Sequence, residues 1–78
     1  MEIYFSKQAE KFLKKQTLSV RNRILTAIHT LPAGDVIKLQ GKTGYRLRVG
    51  NFRIIFDRNG NILYISRIDN RGQIYKEV

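Results

Sequence analysis

Arginines alternate with apolar residues in the C-terminal half of this 78-residue chain, and they are the side chains best suited to chemistry there. Three of them, Arg46, Arg48 and Arg53, lie in the two strands predicted between residues 45 and 56. Because a guanidinium is planar and always charged, it can hold two oxygens of one phosphate and stabilise charge that builds on them. These residue types therefore predict a site for phosphate groups.

The composition favours a polyanionic partner and argues against several other kinds of site. Lys and Arg number 15 against 6 Asp and Glu, which gives a net charge of +9. The chain has no cysteine, which excludes disulfide frameworks and thiolate metal sites. Its one histidine, His29, lies one step off an apolar stripe and is expected at the surface. We therefore expect a domain that uses no metal and no cofactor and whose charge favours a polyanionic partner.

Size and hydropathy limit the architecture to one small unit. Residues 1–78 suffice for a single domain with a single core. No apolar run approaches the roughly 18 residues that a membrane-spanning helix needs. Residues 1–5 do not have the basic segment followed by an apolar one that marks a secretory signal. The expected location is cytoplasmic, without a membrane partner.

The N-terminal part of the chain has the spacing of a short strand followed by two helices. Residues 3–5 predict the strand, and Ser6 and Ser19 are the expected N-caps of the helices. Residues 31–34 should end the second helix, because proline cannot continue the ladder and glycine suits the exit. Apolar residues recur at helical spacing in both segments: Ala9, Phe12 and Leu13, then Val20, Ile24, Ala27, Ile28 and Leu31. Such closely spaced helices should pack as an antiparallel hairpin.

From residue 45 onward the apolar period changes to two, which predicts three antiparallel strands. Gly50–Asn51 and Asn59–Gly60 are typical two-residue turns between them. The third strand should span Asn61–Ile68, and residues 69–78 suit either a loop or a short terminal element. The predicted fold is α+β with the element order β-α-α-β-β-β, in which the first strand is available to join the sheet.

The first of these turns determines which arginines meet. A two-residue loop at Gly50–Asn51 places Arg48 opposite Arg53 and Arg46 opposite Ile55. All three arginines then share the sheet face that the helices do not cover. Like charges at paired positions repel, so a sheet with this register needs compensation.

Two explanations of this concentration of charge remain open. The arginines could extend into water or pair with Asp57 or Asp69. Alternatively, they form an anion site on rigid strands, which is the interpretation that we favour. The predicted second turn would add Ser66 beside Arg53 and Tyr64 beside Ile55. On that register Tyr64 could stack on a base or pack beneath the C-terminal segment.

In the N-terminal half of the chain, most of the basic residues are lysines. They cluster in the first predicted helix as Lys7, Lys11, Lys14 and Lys15. The simplest interpretation is a solvated helix face, although such a cluster can also attract RNA phosphates.

The ordered set of motifs resembles the RelE/ParE toxins of type II toxin–antitoxin systems, and the RelE branch in particular. The matching segments are Lys38–Gly41, Tyr45–Phe56 and Ile68–Arg71 with Tyr75. Together with the first strand and the helical hairpin, they extend the resemblance over nearly the whole chain.

The resemblance implies a metal-independent endoribonuclease that cuts messenger RNA in the A site of the 30S ribosomal subunit and thereby inhibits translation. The positions that match catalytic residues are Arg46, Arg53, Arg71 and Tyr75. The implied RNA-binding positions are Lys38, Lys42, Arg48, Tyr64 and Asn70. The family also implies a cognate antitoxin protein, and operator DNA bound only through the toxin–antitoxin complex.

One position departs from the family pattern and keeps other functions open. Many members carry histidine where this chain has Asn70, and asparagine cannot transfer protons near pH 7. A ParE-like inhibitor of DNA gyrase without nuclease activity is one alternative. A basic module that binds nucleic acid without catalysis is the other.

Overall fold

The computed structural model describes residues 2–31, 33–41 and 43–70. Two helices lie between the first strand and the rest of the sheet. The helices are α1, Lys7–Lys14, and α2, Leu18–His29; the strands are β1, Glu2–Phe5, β2, Asp35–Lys38, β3, Tyr45–Val49, β4, Phe52–Asn59, and β5, Ile62–Asn70. The α+β class is thus confirmed, with one strand, β2, more than the sequence pattern predicted.

The five strands form one sheet in the order β1-β5-β4-β3-β2. The N-terminal strand β1 joins it parallel to β5, and the other neighbouring pairs are antiparallel. The unpredicted strand β2 is a four-residue edge strand that is mostly exposed. A short exposed edge strand has little apolar alternation, so sequence periodicity could not reveal it.

The predicted hairpin between β3 and β4 is confirmed in detail. Arg48 pairs with Arg53, and Arg46 pairs with Ile55. Gly50 adopts a φ of 58°, a left-handed conformation that glycine accepts without the Cβ penalty of other residues.

The predicted register between β4 and β5 was wrong. Asn59 pairs with Ile62, so the turn lies one residue later than Asn59–Gly60. Farther along the pair, a register shift falls between Ile55 and Phe56. Asp69 therefore takes the place beside Arg53 that the sequence assigned to Ser66.

The core explains this irregularity. Leu63, Ile65 and Ile68 are all buried, at spacings of two and then three residues. A regular strand would turn one of them away from the core, and an extra residue at a bulge corrects the alternation. Ser66 is that residue, and its hydroxyl donates to the Ile55 carbonyl at 3.1 Å.

The two helices begin at hydroxyl caps. Ser6 caps α1 as predicted, accepting a hydrogen bond from the Ala9 amide at 3.1 Å. Helix α2 starts earlier than predicted, because Thr17, and not Ser19, accepts from the Val20 amide at 3.3 Å. Within the described residues, neither helix is long and apolar enough to cross a membrane.

The helices cover one face of the sheet and build the core against it. Its buried members are Ala9, Leu13, Ile24, Ile28, Leu31, Leu47, Val49, Ile54, Phe56, Leu63, Ile65 and Ile68. Phe12 meets Phe52 edge-on, with ring centroids 5.8 Å apart. Tyr4 of β1 is 52% exposed, because in the parallel pairing it lies beside the exposed Tyr64.

Candidate nucleic-acid site

In the part of the chain that the structure describes, four arginines lie on the sheet face turned away from the helices. Strand alternation places them there, because their neighbours Leu47 and Ile54 point into the core. We call this surface the arginine face; its arginines are Arg46, Arg48, Arg53 and Arg67. The face thus contains all three strand arginines that the sequence predicted and one that it did not.

One row of cross-strand partners crosses this face from β2 to β5. Asp35 pairs with Arg48, Arg48 with Arg53, and Arg53 with Asp69. Each of the two central arginines therefore has one arginine neighbour and one acidic neighbour. Arg48 Nε forms an ion pair with Asp35 Oδ2 at the outer end of the row.

The next row supplies the remaining two arginines. Ile37 pairs with Arg46, Arg46 with Ile55, and Ile55 with Arg67. Arg67 Nη2 also reaches Asp69 Oδ2 at 3.0 Å, which links the two rows. The sequence contained a signal that could have placed Arg67 on this face. The apolar residues Leu63, Ile65 and Ile68 are unevenly spaced, and this spacing marks the bulge.

Burial separates the arginines into fixed and accessible groups. Arg53 is only 2% exposed and is the largest of the fully buried side chains. Its Nη1 donates to the Phe52 carbonyl at 3.4 Å. Arg48, on β3 next to the edge strand β2, is half-exposed. Arg53 is therefore held as a preorganised charge, whereas Arg48 is open to a ligand.

Three of the predicted RNA-binding residues lie away from these rows. By register, Lys38 and Asn70 share the helix-covered side of the sheet with their partners Tyr45 and Phe52. Both side chains are exposed at the ends of their strands.

Tyr64 is exposed on β5, but it does not lie beside Ile55 as predicted. It pairs with Asp57, four residues along β4 from Arg53, which corresponds to about 13 Å of strand. Three other predicted positions, Lys42, Arg71 and Tyr75, lie outside the described residues.

Among the described residues, the two rows offer four guanidinium groups and the carboxylates of Asp35 and Asp69. His29 is exposed at the end of α2, as expected, and borders a groove with Ile3 and Leu31. Among the residues that the structure describes, no group of three or more His, Cys, Asp or Glu side chains could hold a metal ion. Clustered guanidinium groups on rigid strands are suited to binding phosphate and to stabilising charge on its oxygens.

The chain is similar to known toxins over nearly its full length. Residues 3–75 match the family described as the ParE toxin of type II toxin-antitoxin system, parDE. The chain is 32% identical to Toxin RelE3 of Methanocaldococcus jannaschii over 84 residues, covering 96% of each sequence.

Two solved complexes share the fold closely. One is the RelB-RelE antitoxin-toxin complex from Methanococcus jannaschii, with a TM-score of 0.77 and 30% identity over 95% of this chain and 96% of that chain. The other is the archaeal RelE-RelB complex from Pyrococcus horikoshii OT3, with a TM-score of 0.77 and 27% identity over 92% of this chain and 96% of that chain.

Proposed function

The chain belongs to the RelE/ParE superfamily of toxins of type II toxin–antitoxin systems, and on this premise we propose that it cleaves messenger RNA on the ribosome. The observation that carries the proposal is the pairing of Arg48 with Arg53 across β3 and β4, with Arg67 in the neighbouring row. Cleavage would stop translation in the cytoplasm without a metal or a cofactor.

The chemistry needs little more than position and charge. The 2′-hydroxyl of the RNA gives up its proton as its oxygen attacks the adjacent phosphorus, a 2′,3′-cyclic phosphate forms, and the 5′-oxygen leaves and takes up a proton. Negative charge on the phosphate oxygens rises along this path, and preorganised cations lower its energy. Because Arg53 is buried and fixed, it loses little conformational freedom when it meets that charge. The ribosome would supply the in-line orientation of the message.

The remaining roles follow the family resemblance. Arg71 would join Arg53 in stabilising the phosphate, while Arg46 and Arg48 would hold and orient the RNA backbone. Tyr75 would stack on a base or carry a proton. Lys38, Lys42, Tyr64 and Asn70 would contact the message more peripherally, which suits the exposed positions of Lys38, Tyr64 and Asn70 away from the arginine rows.

A second candidate is inhibition of DNA gyrase without nuclease activity. The matching family description, which names ParE, favours it, and so does asparagine at position 70. The similarity to Toxin RelE3 and to two RelE complexes favours RNA cleavage.

A reconstituted translation reaction with a defined message distinguishes the two. We expect cleavage within codons that occupy the ribosomal A site, mapped by primer extension. Arg53→Lys should lower the cleavage rate at least tenfold, because lysine keeps the charge but loses the planar fork. Arg58→Lys is the matched control, since Arg58 is exposed on the same strand, and its rate should stay within about twofold of wild type.

Circular dichroism should show that both variants remain folded. Full cleavage by a folded Arg53→Lys variant would contradict the role of that residue. An intact message in the wild-type reaction, together with gyrase-dependent DNA breaks on expression, would replace the proposed function with the second candidate.

A further inference from the structure

A groove of about 370 Å³ lies between α1 and the C-terminal end of β5. We call it the α1 groove; its lining residues are Gln8, Lys11, Phe12, Lys15, Gln16 and Asp69. Gln8 ties the helix to the strand, donating to the Ile68 carbonyl at 2.7 Å and accepting from the Ile68 amide at 2.9 Å. Helix α1, which forms one side of the groove, is therefore fixed to the sheet.

Two lysines line the helical side of this groove. Lys11 and Lys15 are four residues apart, so they project from one side of the helix about 6 Å apart along its axis. Like charges at this spacing destabilise an isolated helix. Both side chains are exposed, and they are placed to share an anionic ligand.

Asp69 connects the α1 groove to the arginine face. Asp69 lines the groove, while its carboxylate Oδ2 contacts Arg67 and its Oδ1 accepts from the Asn70 amide at 3.2 Å. Asp69 is also the direct cross-strand partner of Arg53. Since neighbouring strands lie about 4.8 Å apart, the groove begins one strand spacing from the most buried arginine.

We propose that the α1 groove binds the nucleotide next to the phosphate that the arginine face holds. Lys11 and Lys15 contact the backbone phosphate of that nucleotide, and the base lies toward Asp69. This inference rests on the proposed function, because it takes single-stranded RNA as the ligand of the arginine face.

The charges of the lining set this orientation. The Asp69 carboxylate repels a phosphate and accepts hydrogen bonds from the amino and imino groups of bases. A nucleotide combines an anion with such donors, whereas the side chains of an acidic peptide segment offer anions alone. The composition of the groove therefore favours RNA over an acidic protein.

The test uses a single-stranded RNA hexamer carrying 2′-O-methyl groups throughout, which cannot be cleaved, and measures its affinity by fluorescence anisotropy. The variant is Lys11→Gln/Lys15→Gln. The matched control is Lys7→Gln/Lys14→Gln, which removes the same charge from the same helix outside the groove lining. Glutamine and lysine have similar helix propensities, so both variants should stay folded.

We expect the groove variant to lose at least tenfold in affinity at 0.1 M salt (about the ionic strength at which the Debye length is 10 Å), and the control less than threefold. The slope of log affinity against log salt should fall by about 0.7 in the groove variant, because contact with one backbone phosphate is lost. Equal losses in both variants would overturn the proposal in favour of diffuse attraction.

A second probe tests whether the groove binds an acidic protein segment instead of RNA. A polyglutamate peptide should bind wild type and the groove variant with affinities that differ by less than threefold. A loss as large as that for RNA would overturn the proposal and identify the groove as a site for acidic protein. Because the RNA hexamer is uncleavable, its affinity reports on the groove even if the translation reaction shows no message cleavage.

Discussion

Arg48 and Arg53 face each other across two strands, yet each has a carboxylate on its other side. Asp35 lies beside Arg48 and Asp69 beside Arg53, so the row carries two positive and two negative charges. This explains how the sheet tolerates the paired arginines, whose direct opposition alone would be destabilising. Of the two acids that the sequence suggested as partners, Asp69 is in the row and Asp57 is not.

The two acids differ in burial, and their removal should differ in cost. Asp69 is buried beside Arg67 and Arg53, and its loss leaves buried positive charge without compensation. We expect Asp69→Asn to lower the free energy of unfolding by about 3–5 kcal/mol. Asp35→Asn removes only a half-exposed pair with Arg48, and should cost less than about 1 kcal/mol.

Urea denaturation followed by circular dichroism measures both values. The Asp35 variant serves as the control, because the chemical change is the same at the other end of the same row. Equal losses in the free energy of unfolding would show that burial does not make Asp69 more important for stability than Asp35.

At the scale of elements, the outer edge of β5 is completed by side chains of the first helix. Strand β1 pairs only with residues 62–65 of β5. Beyond it, the Ser6 hydroxyl donates to the Ser66 carbonyl at 2.7 Å, and the Gln8 amide pairs with both backbone groups of Ile68. These bonds hold the bulged part of β5, which carries Arg67 and Asp69, against α1.

Removal of the two helix caps should therefore lower the free energy of unfolding by different amounts. Ser6 both caps α1 and bonds β5, whereas Thr17 only caps α2. We expect Ser6→Ala to cost about 2 kcal/mol, as the sum of one cap and one partly buried hydrogen bond. Thr17→Ala should cost about 1 kcal/mol. Thermal or urea unfolding of the two variants checks this order, and an equal or larger cost for Thr17→Ala would contradict the role of Ser6 on β5.

At the scale of the whole molecule, basic groups lie on both sides of the sheet. Arginines occupy the uncovered face, and lysines occupy α1 on the helical side. With a net charge of +9, such a surface attracts polyanions from any direction and needs a partner to restrain it. The RelB-RelE complexes that share this fold make a cognate antitoxin the expected partner.

We expect the product of an adjacent reading frame to co-purify with this chain and to lower its affinity for the RNA hexamer at least tenfold. The physical reason is coverage of the basic surface, which removes phosphate contacts. A wash at 0.5 M salt tests for more than charge attraction, since the Debye length then falls below about 8 Å. Release in that wash, or unchanged RNA affinity of the complex, would contradict this expectation.

Local sequence determined much of this protein: the α+β class, both helices, the hairpin at Gly50 and the opposition of Arg48 to Arg53. Apolar period and turn residues act over a few positions, so they can be read without the fold. Tertiary structure alone decided that β2 brings Asp35 to Arg48, that a bulge places Asp69 beside Arg53, and that α1 forms a groove with β5. Each of these depends on segments far apart in the chain, whose pairing follows from burial of the shared core and not from any local pattern.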